Sequence, residues 1–365
     1  MIDESKMLFP NAVITDSINR AILTFGYNDF SAVNFRGRPY FYLHWQWPYT
    51  QENSDLPLGY DYYIVSNHME QIDLDWLRKQ AQRVSPIIVL NDYNCYQNYE
   101  IPNVYFYRWI LWHHVLEKMM KLFGTSYNKN IQYKASTFCN RITQSKLVVT
   151  TALLEYLEKQ DCLISLGNWL EEKNIHGWQS TGNVLLDQLV NIFKTKYFGQ
   201  SWSMDNFNNA TSNNQFFTGN PAQIAYQQAA LHFTNESFHY SLTQHNNQSI
   251  VLPGPLLTEK TFKCWLGATA FISVGQFDVY QTLKKLGMEF DYGIDLSFDQ
   301  DPGNLTRLEK IVMVIKNLQE LSADQIYNMT KQSSLHNQQI ILNGLFFQSC
   351  QAVNNDTLER LQKIL

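Results

Sequence analysis

Thr258, Glu259 and Lys260 stand in a row where a helix should begin. Thr258 is a suitable N-cap, and Phe262, Trp265 and Leu266 recur behind it at helical spacing. The outward N–H groups of a helix start attract anions, and a lysine there adds the point charge a phosphate binds. The plainer reading is a capped surface helix whose Glu259 favours the dipole. Asn140 and Arg141 fall at a second junction, between a strand and a helix. The planar fork of an arginine suits a diphosphate, whereas the dipole at a helix start disfavours a cation. Lys146, about a turn further on, is a weaker candidate for the same phosphates and fits a solvated helix face better. The chemistry these positions suggest is capture of a diphosphate.

Competing chemistries lack their motifs. The sequence has no GxGxxG after its first strand, no P-loop, no GxSxG elbow and no HExxH. Two Asp-x-Asp triplets occur, Asp73-Leu74-Asp75 and Asp299-Gln300-Asp301. The first falls in the opening turn of a helix and the second in a turn-rich loop. Neither directly follows an apolar strand, so no metal site is assigned. The alternating calcium-loop pattern is missing as well. His113 and His114 lie on an apolar helix without a nearby partner in sequence. Five cysteines, at 95, 139, 162, 264 and 350, show no metal spacing and fit reduced thiols.

Two segments carry a resemblance. Thr258-Glu259-Lys260-Thr261-Phe262, the apolar strand at 270–272, Leu283-Lys284-Lys285-Leu286-Gly287-Met288 and the later Arg307 together resemble the TEK region of fucosyltransferase-like glycosyltransferases and their bacterial and phage relatives. The likeness covers mainly residues 230–310, under a third of the chain. It implies an α/β fold of two Rossmann-like domains facing across a cleft, the GT-B type. It implies a nucleotide-activated sugar as donor and no cofactor. By the same likeness Arg141 contacts the donor pyrophosphate beside Asn140, and Thr258, Glu259 and Lys260 complete the donor site. Phe233-Thr234-Asn235-Glu236 resembles the family's Phe-Glu-Asn strand end with its order shifted. Glu236 is therefore the candidate catalytic carboxylate, facing the nucleotide sugar.

These positions need elements to hold them. Strands alternating with helices predict mostly parallel sheets. In the first part, strands are expected at 21–26, 40–45, 62–67, 86–91 and 104–106, with helices at 72–82 and 109–122. Several of these strands end in polar residues, and ligands of open α/β sheets gather at carboxyl ends. His44, Asn67 and His68 are thus acceptor-side candidates, with Ser66 and Asn91 beside them; each also fits a turn after a strand. In the second part, strands are expected at 131–139, 161–166, 230–236 and 270–274. Helices are expected at 142–159, 184–198, 259–266, 277–286 and 305–321, with a last one from 322. His232, inside an apolar strand, reads as a core residue. The expected division is 1–128 for the acceptor side, 129–325 for the donor side and 326–365 for helices that cross back in many such transferases.

With 45% hydrophobic residues, the chain is expected to pack as a globular protein. A net charge of −5 argues against general nucleic-acid binding. No apolar run reaches membrane-spanning length, and residues 1–6 do not open a signal peptide. The expected protein is a metal-independent glycosyltransferase acting on a glycan or lipid-linked acceptor, in the cytoplasm or at the inner face of a membrane. Glu52, Asp55, Asp61 and Glu70 are equivalent candidates for its general base, and inverting and retaining routes both stay open. The alternative is a non-catalytic ligand-binding or interaction protein on a transferase-like scaffold.

Overall fold

In a computed structural model of the chain, residues 40–44, 55–67, 74–91, 100–108, 129–139, 143–166, 180–200, 226–236, 257 and 259–364 are described. The chain divides into two compact units, residues 1–115 with 347–365, and residues 116–346. The expected strand at 21–26 and helix at 109–122 lie outside the described residues.

The first unit holds β1 (Tyr40–His44), β2 (Tyr62–Asn67), β3 (Ile87–Asn91) and β4 (Val104–Arg108), paired in that order and all parallel. Ile87, Ile88 and Val89 are fully buried, which is why β3 is apolar without alternation. Helix α1 (Leu74–Ala81) buries Trp76 and Leu77. Its buried Gln80 accepts from the Leu56 N–H at 2.8 Å and donates to Asp55 at 3.1 Å, tying the preceding loop to the helix.

The second unit alternates more regularly: β5 (Tyr133–Cys139), α2 (Gln144–Tyr156), β6 (Cys162–Leu166), α3 (Val184–Ile192), β7 (Ala229–Asn235), α4 (Glu259–Leu266) and β8 (Ala270–Val274). Its strands pair in the order β6-β5-β7-β8, all parallel. The chain therefore moves one way from β5 to β6 and the other way from β7 to β8. With right-handed crossovers, those opposite moves put α2 and α4 on opposite faces of the sheet. Helix α2 packs against α3 and against α6 (Asn304–Asn317), and every residue from Gln144 to Leu154 is buried. Helix α3 ends earlier than its periodicity predicts, at Ile192. A π-helical turn over Phe193–Tyr197 follows and buries both of its aromatic ends.

Helix α5 (Val279–Lys285) is capped at both ends. Gly287 takes a left-handed φ of 90°. The Met288 N–H then reaches back to the Leu283 carbonyl at 3.1 Å and the Gly287 N–H to Lys284 at 3.0 Å. At its start, the N–H groups of Val279 and Tyr280 donate to Asp299 at 2.8 and 2.9 Å. Burial pushes the Asp299 carboxyl up to about 6, against these bonds.

Helix α7 (Ala323–Leu342) starts where expected, after Ser322, and opens with a capping box formed by Ser322 and Gln325. Its buried stripe is polar: Thr330, Ser333, Ser334, Asn337 and Gln338. Two of these residues, Asn337 and Ser333, hydrogen-bond the backbone of the segment at 289–291. Asn337 accepts from the Glu289 N–H and donates to the Glu289 carbonyl, both at 2.7 Å. Ser333 does the same with Asp291 at 3.1 Å. Replacing Asn337 with leucine removes the partner of two part-buried backbone groups and should cost about 1–3 kcal/mol of stability. Urea unfolding checks this: a loss below about 1 kcal/mol would mean that water replaces the amide.

Helix α8 (Leu345–Ile364) runs across the division into the first unit. There the Thr357 hydroxyl donates to the Phe106 carbonyl at 3.0 Å, and the Arg360 guanidinium lies 5.2 Å from the Tyr105 ring centre. Both contacts cover the edge strand β4. Among the described residues, no helix is long and apolar enough to cross a membrane.

Candidate functional site

The strand order of the second unit fixes where a ligand would sit. β5 has β6 on one side and β7 on the other, so the connections leaving their carboxyl ends diverge to opposite faces. The residues around that divergence are Cys139 at the end of β5, the first turn of α2, Asn235 and Glu236 at the end of β7, and the first turn of α4.

Each side presents a lysine. On α2, Thr143 makes no side-chain cap bond and the first turn carries no acidic residue, so no built-in carboxylate balances the dipole there. In that turn lies Lys146, only 6% exposed. This corrects the expectation of a solvated face: α2 is covered by α3 and α6, so its lysine is drawn into the structure. On α4, Lys260 occupies the first turn and is partly buried. Both ammonium groups act electrostatically on the Cys139 thiol. Burial outweighs them and pushes that thiol up to about 11, so Cys139 is no nucleophile.

Glu236 lies just beyond β7 with 3% of its surface exposed. Its N–H donates to the Val274 carbonyl at 3.2 Å, and its Oε1 accepts from the Thr261 hydroxyl at 2.6 Å. Gly275 makes room for it, since a Cβ there would lie 3.3 Å from the Glu236 Cβ. Arg307, 2% exposed, then fixes Gly275 by donating to its carbonyl at 3.1 Å. The same guanidinium donates to the Asp301 carbonyl at 2.7 Å and to Asn304 Oδ1 at 2.6 Å. The arginine that belongs to the sequence resemblance thus clamps the end of β8.

Asn235 completes the floor. Its Nδ2 donates to the Thr137 hydroxyl at 2.6 Å, which donates on to the Phe233 carbonyl at 3.1 Å. This chain fixes the amide orientation and leaves Oδ1 buried without a hydrogen-bond partner. Sequence reasoning ranked Lys146 below Arg141 and did not single out Thr261 or Asn235. Their one common signal is position, just past a strand end or in the first turn of a following helix.

The remaining expected residues fall as follows. Asn140, Arg141, Thr258 and His68 lie outside the described residues, and Asn140 and Arg141 belong to the connection from β5 to α2. Glu259 is the first residue of α4. His44 and Asn67 end β1 and β2, at the carboxyl edge of the first sheet. Of the four base candidates, Glu52 and Glu70 lie outside the described residues and Asp61 is exposed. Asp55 is bonded to Gln80 and paired with Arg83 at 3.1 Å and Lys79 at 3.2 Å. These bonds hold its carboxyl below the ordinary range and make it a poor base.

Other polar groups have structural roles. His232 lies in β7 with its Nδ1 2.7 Å from the Ser136 hydroxyl, as its apolar strand predicts. Burial, with Lys263 and Lys260 nearby, takes its imidazole down to about 3. Asp299 caps α5, and Asp301 pairs with Lys310 at 2.7 Å, which accounts for the second Asp-x-Asp triplet. Among the described residues no three metal-ligating side chains cluster.

Lys129 enters the second unit donating to the Tyr226 carbonyl and the Thr269 hydroxyl, both at 2.6 Å. Two acceptors match the two N–H bonds of a neutral amine, and burial brings its ammonium down to about 7. The unfolded chain keeps that proton to a higher pH, so it binds more protons than the folded one above pH 7. Stability should therefore rise from pH 7 to about 10, by up to about 1.4 kcal/mol per pH unit. Urea unfolding at several pH values checks it, and Lys129→Met should flatten the rise.

Compared with known families and characterised proteins, the sequence matches no family model and no characterised protein.

Proposed function

We propose that the protein is a glycosyltransferase that takes a sugar from a nucleotide-activated donor, with the donor diphosphate bound at the carboxyl edge of the second sheet. The observation that carries this reading is a lysine in the first turn of each of two helices, Lys146 on α2 and Lys260 on α4, at the carboxyl edge of the second sheet. Two cations and two helix N-termini suit the charge that grows on a departing diphosphate. The sequence resemblance supports the same reading and adds Arg141, Asn140, Thr258 and Glu259 around the phosphates and ribose. In the reaction, the bond from the anomeric carbon to the phosphate oxygen breaks and the nucleoside diphosphate leaves. An acceptor hydroxyl oxygen bonds to that carbon and gives its proton to a general base. Glu236, steadied by Thr261, holds a hydroxyl of the sugar in place at the reacting carbon.

The test is a thermal-shift panel of nucleoside diphosphates and nucleotide sugars, followed by product analysis with the stabilising donor. At a hundredfold excess over Kd, a true donor adds about 2.7 kcal/mol and should raise Tm by several degrees. No shift with any member of the panel would favour the interaction-protein alternative.

A further inference from the structure

Buried polar atoms without a hydrogen-bond partner gather at one edge of the second sheet. Among the described residues these include Ser165 Oγ, Asn235 Oδ1 and Ser273 Oγ. Each belongs to the last or next-to-last residue of its strand, Ser165 in β6, Asn235 in β7 and Ser273 in β8. All three lie at the carboxyl edge, where open α/β sheets hold their ligands. Buried polar groups are nearly always bonded, so unmet ones gathered at this edge need a cause. A serine hydroxyl rotates to find a partner. The Asn235 amide cannot.

Asn235 is 1% exposed. The one hydrogen of the Thr137 hydroxyl goes to the Phe233 carbonyl, so Thr137 can only accept from Asn235. Nδ2 takes that place, and Oδ1 is left as the unmet acceptor. Thr137 pairs with Phe233, two residues back from Asn235 along β7. Nδ2 therefore reaches back into the sheet, and Oδ1 turns forward, past the strand end.

The face is fixed as well. Cys162 Sγ donates to the Leu153 carbonyl of α2 at 3.8 Å, so α2 covers the side that Cys162 faces. Cys162 pairs with Ala135, and alternation puts Thr137 and Cys139 on that same side. Asn235, bonded to Thr137, joins them. Glu236, next in the chain, turns the opposite way to Thr261 of α4. Asn235 thus faces the side on which α2 begins with Lys146, and Glu236 the side on which α4 begins with Lys260.

An amide oxygen accepts and does not donate. Phosphate oxygens, acceptors themselves, cannot pair with it. With a diphosphate at the two helix starts, the nearest donors on the ligand are the hydroxyls of the sugars joined to either phosphate, since the ribose separates the base from them. We propose that Asn235 Oδ1 receives a hydroxyl of the nucleotide donor, on the ribose or on the transferred sugar, and so selects donors that carry it. This rests on the transferase reading, whose diphosphate brings the hydroxyl to the strand end. A site built around an unmet acceptor rejects an analogue without the matching hydroxyl, because the acceptor then stays unpaired.

Calorimetric titration of the full chain with ADP, CDP, GDP and UDP finds the preferred nucleotide. That nucleotide is then compared with its 2′-deoxy and 3′-deoxy forms and with its glucose, galactose, mannose and fucose conjugates. A loss of about 10- to 100-fold in one deoxy form identifies a ribose hydroxyl. Deoxy forms that bind like the parent, with one conjugate binding more tightly than the free diphosphate, identify a sugar hydroxyl. In Asn235→Leu that preference should vanish. The hydroxyl-bearing ligand should bind at least about tenfold more weakly, and the analogue lacking the hydroxyl should bind as it does to the wild type. Leucine removes the unmet acceptor together with the Thr137 bond, so the variant should melt close to the wild type. An asparagine with a structural role alone would lower the melting temperature and leave the preference intact. If Asn235→Leu does not melt cooperatively, Thr137→Val, which frees the amide to rotate, should reduce the same preference at least about threefold. The inference is overturned if the folded variants keep the wild-type preference, or if the wild type distinguishes none of the analogues and conjugates; Oδ1 then holds a buried water. Diphosphates that depend on Lys146 and Lys260 but not on Asn235 would overturn this inference alone. A wild type that binds no diphosphate would overturn the transferase reading along with it.

Discussion

Replacing Arg307 with methionine should lower the stability of the second unit by about 3 kcal/mol or more. The guanidinium is buried and serves four acceptors, the carbonyls of Gly275, Asp301 and, at 3.5 Å, Gly303, and the side chain of Asn304. Methionine fills much of the same volume and serves none of them. Some of the loss is recovered, because burial already strains the cation and draws it down to about 10, offset by Asp301 and Asp299. The stranded carbonyls outweigh that recovery, since each buried unpaired acceptor costs about 1–3 kcal/mol. Arg307→Lys should rescue little, as one ammonium cannot span the three directions a guanidinium covers. Denaturant unfolding of the two variants gives the answer. A loss below about 1 kcal/mol would show that the clamp is dispensable. Gly275 adjoins Glu236, so under the proposed reading sugar transfer should fall by at least the fraction of each variant that unfolds.

Lys146→Gln and Lys260→Gln should each weaken nucleoside diphosphate binding by about 10- to 100-fold. Both ammonium groups act at Cys139, and they come from α2 and α4. Because they would share one diphosphate, the double variant should lose less than the sum of the single losses. The free nucleoside, without phosphates, should bind nearly as well to the variants as to the wild type. Lys284→Gln on the exposed side of α5 serves as the charge control and should bind normally. Calorimetry at fixed ionic strength reads all of these. Wild-type affinity in either single variant would remove that lysine from the donor site.

The parts of the fold with local signals were legible in the sequence. Residues 270–274 form a short run, apolar but for Ser273, before Gly275, and β8 takes those bounds. Ser322 marks a helix start, and α7 opens after it. Leu286-Gly287 marks the close of α5 because only glycine turns left-handed there without strain. Features that depend on what packs against an element were hidden. Lys146 reads as solvated because helical spacing cannot show that α3 and α6 cover α2. The polar stripe of α7 reads as a wet face, yet Asn337 and Ser333 bind the backbone of a segment about 40–50 residues away. The strand order β6-β5-β7-β8, which brings the two helix starts to one edge, follows from long-range pairing alone. Glu236 was singled out by likeness to a family's strand end, whereas Thr261, its hydrogen-bond donor, carried no signal of its own.

The most direct measurement is a crystal structure of the protein soaked with a nucleoside diphosphate sugar. The account predicts phosphate oxygens within hydrogen-bond reach of both Lys146 and Lys260, between the first turns of α2 and α4, with the sugar towards Glu236. A nucleotide bound away from the carboxyl edge of the second sheet, or crystals that stay empty at saturating concentration, would contradict it.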